Sequence, residues 1–428
     1  MNCSSQVLKA KMFGRFGGRF FQSEHTSYDL RPLQFLHSGV DTLKQLFSCN
    51  LRSDVLMQLE THFDHHSSDL INIDGYDFIL GRSGRASGYK YVLKNLEAGF
   101  VVLVKSHYCE GDQNGSHLKI EVTPQKLYET SPDDLTAELH QLAYVFATNV
   151  KATGVAAHIC VDVHGLELPE DFERRVQTSA RRQFKVNGIS EATFNASAMS
   201  LVYGRTDTYT FGSQGAIQMC LYNKTLEVES SDKSHFWHNV WGAVPDVDDY
   251  EKPAFRPGDT VHRLEFRFHH TVIEQFERHL QAEGKADSVR TYADLAPHLS
   301  GLWLYALNNF RLMEDKGYIH PLWQVLAEDV RFFHTEPLFC YKREYKKADV
   351  VVGRRHVAHY LGNYIKLAAR KNLKPELVAH KILNDAIEQD LCDYFNVKRY
   401  GDGDLLPVVL HEFVTTRMMQ HRMNGVGV

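Results

Sequence analysis

The sequence predicts an α+β chain: an antiparallel sheet with helices on one face, followed by an all-helical C-terminal domain. Two observations carry this expectation. Four stretches alternate strictly, His117-Leu-Lys-Ile-Glu-Val-Thr123, His158-Ile-Cys-Val-Asp-Val-His164, Ile217-Gln-Met-Cys-Leu-Tyr-Asn-Lys224 and His262-Arg-Leu-Glu-Phe-Arg-Phe-His269, and strand side chains point to opposite faces in turn. Past Glu265, apolar residues instead recur every three or four positions, the helical period. With 428 residues the chain exceeds what one hydrophobic core usually supports.

Taken in order, residues 1 to 30 read as a basic, Gly/Phe-rich tail. Its Gly14-Arg-Phe-Gly-Gly-Arg-Phe-Phe21 run can track a nucleic-acid backbone and stack on bases, or be a loose terminus. Residues 31 to 335 form the catalytic region. Within it, residues 31 to 63 read as two helices, because Leu33, Leu36, Val40, Leu43 and Phe47 recur at helical spacing, then Leu51, Val55, Leu59 and Phe63. Strands dominate from 76 to 123. A helix over 132 to 150 is expected behind Ser131 as N-cap, with Asp133 and Asp134 in its first turn. Residues 169 to 186 read as another helix, and 230 to 257 as an insertion between the last two alternating stretches. Helices follow at 271 to 282, 291 to 313, 321 to 333, 353 to 371, 375 to 395 and 407 to 423, the last three within a domain spanning 336 to 428.

The net charge of −5 confines any nucleic-acid surface to a patch. Residues 342 to 374 hold ten Lys/Arg against two acids, among them Arg354, Arg355, Arg370 and Lys371. Two helices joined by Lys371-Asn-Leu-Lys-Pro375 can offer one of them to a major groove. A helical cap with a solvated basic rim accounts for the same charges. Seven scattered cysteines without paired spacing suit a reducing cytoplasm. No apolar run approaches about 18 residues, so no membrane association is expected.

The alternation sorts chemistry by face. Leu118/Ile120/Val122, Ile159/Val161/Val163, Ile217/Met219/Leu221 and Leu264/Phe266/Phe268 belong to a core, while Lys119, Glu121, His158, Asp162, His164, Gln218, Tyr222, Lys224, Arg263, Glu265, Arg267 and His269 share the other side. A half-solvated sheet has such a face for no reason beyond water. Four strands bringing carboxylates, histidines and a tyrosine near a lysine also suit phosphate chemistry. Tyrosine can hold a phosphate covalently, since its phenolate both attacks and leaves. Tyr222 is the expected nucleophile, with Lys224 favouring its phenolate. Extra charge in the transition state calls for a divalent ion on hard oxygen ligands, for which Glu265 and Asp162 come first and Glu121 and Glu227 second. His62-Phe-Asp-His-His66 reads as a surface cluster. Residues 81 to 88 match neither a Walker loop nor a dinucleotide fingerprint.

The run Tyr209-Thr-Phe-Gly-Ser-Gln-Gly-Ala-Ile-Gln-Met-Cys-Leu-Tyr-Asn-Lys-Thr-Leu-Glu227, with His262-Arg-Leu-Glu-Phe-Arg267 after an insert, resembles the core of Rep-trans type rolling-circle replication initiators of plasmids, integrative elements and filamentous phages. In that family a Tyr-Asn/Asp-Lys strand is followed by a Glu and an Arg-x-Glu strand. The preceding strand usually carries Arg-x-Asp and a second Asp, where this chain has His158 and Asp162. The resemblance implies origin-specific nicking and strand transfer through a covalent 5′-phosphotyrosine, with Mg²⁺ or Mn²⁺. It implies duplex origin DNA and single-stranded DNA as ligands, contacted by Arg263, Arg267, Arg354, Arg355, Arg370 and Lys371. A host helicase and DNA polymerase would be partners, and a homodimer is one option for assembly. Tyr203 or Tyr209 is open as a second nucleophile. A conjugative relaxase of the same family, and a non-catalytic DNA-binding repressor or partition factor, are the alternatives.

Overall fold

The computed structural model of the chain describes residues 14–16, 18–22, 26–65, 70–82, 89–105, 117–178, 183–186, 208–229, 234–246, 250–285, 288–315, 317–332, 341–344, 352–384, 387–395 and 405–423. Its strands are β1 (Gly14–Phe16), β2 (Phe20–Gln22), β3 (Ser27–Asp29), β4 (Gln34–Leu51), β5 (Leu70–Ile73), β6 (Tyr76–Arg82), β7 (Tyr91–Asn95), β8 (Phe100–Val104), β9 (Leu118–Val122), β10 (Ala147–His164), β11 (Val176–Thr178), β12 (Gln183–Val186), β13 (Thr208–Gly212), β14 (Ile217–Asn223), β15 (Val261–Phe268), β16 (Phe310–Asp315) and β17 (Tyr318–Ile319). Its helices are α1 (Ser53–His65), α2 (Pro124–Glu129), α3 (Pro132–Phe146), α4 (Phe172–Arg175), α5 (Lys224–Glu229), α6 (Ser234–Gly242), α7 (His270–Ala282), α8 (Tyr292–Leu295), α9 (Leu299–Asn309), α10 (Pro321–Glu328), α11 (Val352–Arg370), α12 (Pro375–Leu383), α13 (Glu388–Phe395) and α14 (Leu405–Met423).

The fold is α+β. Eleven strands form one sheet in the order β12-β13-β14-β15-β10-β4-β9-β8-β7-β6-β5, antiparallel throughout. β9 and β10 flank β4, and α3 carries the chain across between them. Ser131 caps α3, its hydroxyl accepting from the Asp134 amide at 3.2 Å. All twelve core positions of the alternating stretches are buried. They pack in one cluster with Leu135, Leu139, Leu142 and Phe146 of α3, Val272 and Phe276 of α7, Trp303 of α9 and Trp323 of α10. Each such apolar side chain contributes about 1.5–3 kcal/mol by leaving water. A smaller cluster on the opposite face joins Trp237, Val240 and Trp241 of α6 to Phe255, Leu36 and Val261, so the insertion covers part of the polar face.

Five sequence expectations change. Residues 34–51 form an 18-residue strand where a helix was expected, because β4 is bulged: His158 pairs with Thr42 and Ile159 with Val40, leaving Asp41 as the extra residue. The three-residue step from Val40 to Leu43 spans that bulge, and the four-residue step to Phe47 is two pleats, so the stripe mimics a helix. Residues 14–29 hold three short paired strands instead of a tail, with Phe21 buried in the main core and Arg19 paired to Asp329 at 2.9 Å. The helix expected over 169 to 186 is one turn, α4, followed by β11 and β12. The 291 to 313 helix is broken into α8, a 3₁₀ turn at Ala296–His298 and α9, and ends in β16. Residues 375 to 395 divide into α12 and α13.

Two compact units result, Met1–Glu344 and Tyr345–Val428. The second has a core of its own, with Val357, Leu361 and Ile365 of α11, Val378 and Ile382 of α12, Leu391 of α13 and Leu410, Val414 and Met418 of α14.

Candidate functional site

Lateral register arranges the polar face in rungs, since paired residues on neighbouring strands point the same way. One rung runs His37, Asp162, Arg263, Tyr222, Thr208; the next runs Gly39, Cys160, Glu265, Cys220, Thr210; a third runs Thr42, His158, Arg267, Gln218, Gly212. Glu265 thus has only small residues beside it on its own rung. The space above it is filled by longer side chains from the rungs on either side.

These converge on its carboxylate. Glu265 Oε1 accepts from Arg267 Nε at 2.8 Å and lies 2.9 Å from His158 Nδ1. Glu265 Oε2 accepts from the Tyr222 hydroxyl at 3.2 Å and from Arg267 Nη2 at 3.3 Å. Asp41 enters from the bulge, which re-aims a side chain that regular alternation would have placed elsewhere. Asp41, His158 and Glu265 each offer a ligand atom, and these atoms lie within 4.8 Å of one another. This cluster could hold a metal ion. Two carboxylates and an imidazole are a donor set suited to such an ion.

A second, drier network lies alongside. Arg263 is fully buried and gives Nε and Nη2 to the two oxygens of Asp162 at 2.6 and 2.7 Å. Its Nη1 donates to Asp41 Oδ1. Trp241 Nε1 donates to Asp162 Oδ2 at 2.8 Å, and the guanidinium lies 4.2 Å from the Trp237 ring centroid. Asp41 therefore belongs to both networks.

Charge states follow from these partners. Burial opposes ionisation of Glu265, but Arg267 and then His158 outweigh it and hold the carboxyl well below its usual range. Burial likewise works against Asp41 and Asp162, and Arg263 overrides it in both, so both are lowered. Burial, then the Glu265 charge, pushes the Tyr222 phenol well above its ordinary value. Tyr222 is thus a neutral donor resting on a carboxylate.

Several expected site residues move. Asp162 is not available as a metal ligand, since both its oxygens are saturated by Arg263 and Trp241 in a site with no solvent access. Arg263 is 0% exposed and cannot reach a DNA phosphate. Lys224 opens α5 and lies 2.5 Å from Glu227 Oε2, with its Nζ 5.9 Å from the Tyr222 ring centroid; Glu227 is engaged by this lysine and is not part of the Asp41/His158/Glu265 cluster. Glu121 sits on β9, two strands from β10, and pairs with Lys119 at 2.8 Å and Lys44 at 3.7 Å. Tyr209 pairs with Leu221 and so faces the core, its ring 5.1 Å from Phe172, which turns it from the cluster. Tyr203 lies outside the described residues. Glu265, Tyr222 and Arg267 come together. Arg370 and Lys371 are exposed at the end of α11, which also carries Arg354 and Arg355. Asp41 was missed, and the only hint of it was a lone acid inside an apparent apolar stripe.

No family model matches the chain. Over 351 residues it is 37% identical to the uncharacterized protein ORF430 of Pseudomonas phage Pf1, an alignment that covers 81% of this chain and 80% of that protein.

Proposed function

The chain belongs to the family of the phage Pf1 protein ORF430, and from that premise we propose that it is a phage rolling-circle replication initiator, a nickase and strand transferase of the Rep-trans type. One observation carries the reading: the Tyr222 hydroxyl donates to the same carboxylate, Glu265, that belongs to the Asp41/His158/Glu265 cluster. A nucleophile, a proton acceptor and candidate metal ligands then meet at one point, as the geometry of a nucleophilic site requires.

In this reading Glu265 Oε2 takes the phenolic proton as Tyr222 attacks the phosphorus of one phosphodiester. The bond to the 3′ oxygen breaks, leaving a 5′-phosphotyrosine and a free 3′ end for a host polymerase, with strand separation left to a host helicase. Arg267 holds Glu265 in place and keeps it ionised. The cluster would take Mg²⁺ or Mn²⁺, whose bound form would polarise the phosphoryl oxygens and offset transition-state charge. The basic α11–α12 region, with Lys366, Arg370, Lys371 and Lys374 exposed, would bind duplex origin DNA. The test is to incubate the protein with supercoiled DNA carrying its element's origin and Mn²⁺ and look for a protease-sensitive DNA adduct that maps to Tyr222. DNA binding without any adduct would favour a non-catalytic repressor instead.

A further inference from the structure

On the nickase reading, we infer that Lys44, Lys119 and Arg267 form a basin that binds a backbone phosphate of single-stranded DNA a few nucleotides from the bond Tyr222 attacks. The three cations come from three strands. Lys44 of β4 pairs with Glu121 of β9 in register, Lys119 lies two residues before Glu121, and Arg267 shares its rung with His158. All three are half-buried, with side-chain exposures of 31%, 19% and 27%.

Their charges are not balanced. Lys44 and Lys119 share a single oxygen, Glu121 Oε1, at 3.7 and 2.8 Å. Arg267 spends Nε and Nη2 on Glu265, and its Nη1 has no hydrogen bond among the described residues. Three basic side chains therefore face two carboxylates, in a partly desolvated setting where charge interactions are strengthened. Lys119 also lies 5.2 Å from the Tyr89 ring centroid, beside a half-buried aromatic of a kind on which bases stack. Gln218, 6% exposed and opposite Arg267, has an amide oxygen with no partner among the described residues. The basin extends from Arg267 away from Tyr222: Lys44 pairs with Ala156, six residues along β10 from the Asp162 of the Tyr222 rung and so roughly 20 Å off along the strands, and a strand crossing the face would put phosphates a few nucleotides apart at the nucleophile and at the lysines.

The experiment uses the full chain carrying Tyr222→Phe, a labelled single-stranded oligonucleotide and chelator, with anisotropy titrations across a range of NaCl. Replacing Lys44 and Lys119 by Gln together should weaken binding and flatten the plot of log affinity against log salt by about 0.7 per lost contact. Lys44→Arg with Lys119→Arg should retain the slope. Glu121→Gln provides the opposite sign: relieved of their acid, the lysines should bind the strand severalfold more tightly and with a steeper slope, whereas a merely structural trio predicts no gain. An unchanged slope in the Gln pair together with no gain in Glu121→Gln overturns the inference. If the wild-type chain forms the Tyr222 adduct while the slope stays fixed, only this inference falls. If the slope moves and no metal ever gives an adduct, the nickase reading falls instead.

Discussion

Removing the hydroxyl of Tyr222 leaves the ring in place, and Glu265 Oε2 keeps its bond from Arg267. Tyr222→Phe is therefore expected to melt like the wild type and bind DNA, while adduct formation drops at least about 10⁴-fold, as when a nucleophile is deleted; gels of DNA-protein adduct and a thermal melt check both halves. Glu265 and Asp162 are equally buried, at 1% and 0% exposed, and separate by their partners. Asp162→Asn strands a buried guanidinium and is expected to cost about 3–5 kcal/mol of stability, read by denaturant unfolding, without altering the metal concentration needed for half-maximal activity. Asp41→Asn touches both networks and should raise that concentration at least about tenfold, by analogy with weakened metal sites. A different residue governs acid stability. His320 caps α10, its Nδ1 accepting from the Leu322 amide at 3.1 Å, a role only the unprotonated nitrogen can play. Burial, aided by Arg175 and opposed by Glu314, lowers its pKa from 6.5 to about 4. Between those values the unfolded chain binds more protons than the folded one, so this contribution is complete above pH 6.5 and lost as pH falls towards 4. It amounts to about 3 kcal/mol at most. His320→Asn preserves an acceptor and should flatten unfolding free energy against pH in that window.

At the scale of elements, the sheet's chemistry is anchored in the β13–β14 hairpin. Gly212 closes it with φ +92°, and an added Cβ would sit 2.2 Å from the Ile217 carbonyl oxygen. Gly212→Ala is expected to cost more than about 1 kcal/mol and to weaken adduct formation by shifting Tyr222, as a melt run beside a nicking assay would show. The same scale explains what the sequence disclosed. Regular strands announced their faces, which is why Tyr222, Glu265 and Arg267 could be placed together by counting in twos. β4 did not, because a bulge inserts one residue and restarts the count; the candidate ligand that alternation hides, Asp41, is the one the bulge supplies. Lys224 marks where that count ends. Its strand ends at Asn223 and the chain turns into α5, so the two-residue offset no longer fixes its direction. Asp162 and Arg263 were rightly put on the polar face, but a sequence does not show that α6 would fold over them and shut out water.

The whole molecule divides into units with separate cores. A chain ending at Glu344 is expected to remain folded and to nick a single-stranded origin oligonucleotide, while losing affinity for the duplex; equal loss on both substrates would refute that division of labour. The two units also differ in how far apart their partners lie along the chain. Helices α11 to α14 close over fewer than 80 residues, whereas Asp41 meets Arg263 across 222 positions and the strand bearing it waits for β9 and β10 before either edge is paired. Contacts so distant form slowly. On refolding, affinity for duplex should return ahead of cleavage. On the nickase reading, a nascent chain that has not yet reached Glu265 carries Tyr222 without the carboxylate it bonds to, so products ended before that strand would be unable to cut DNA.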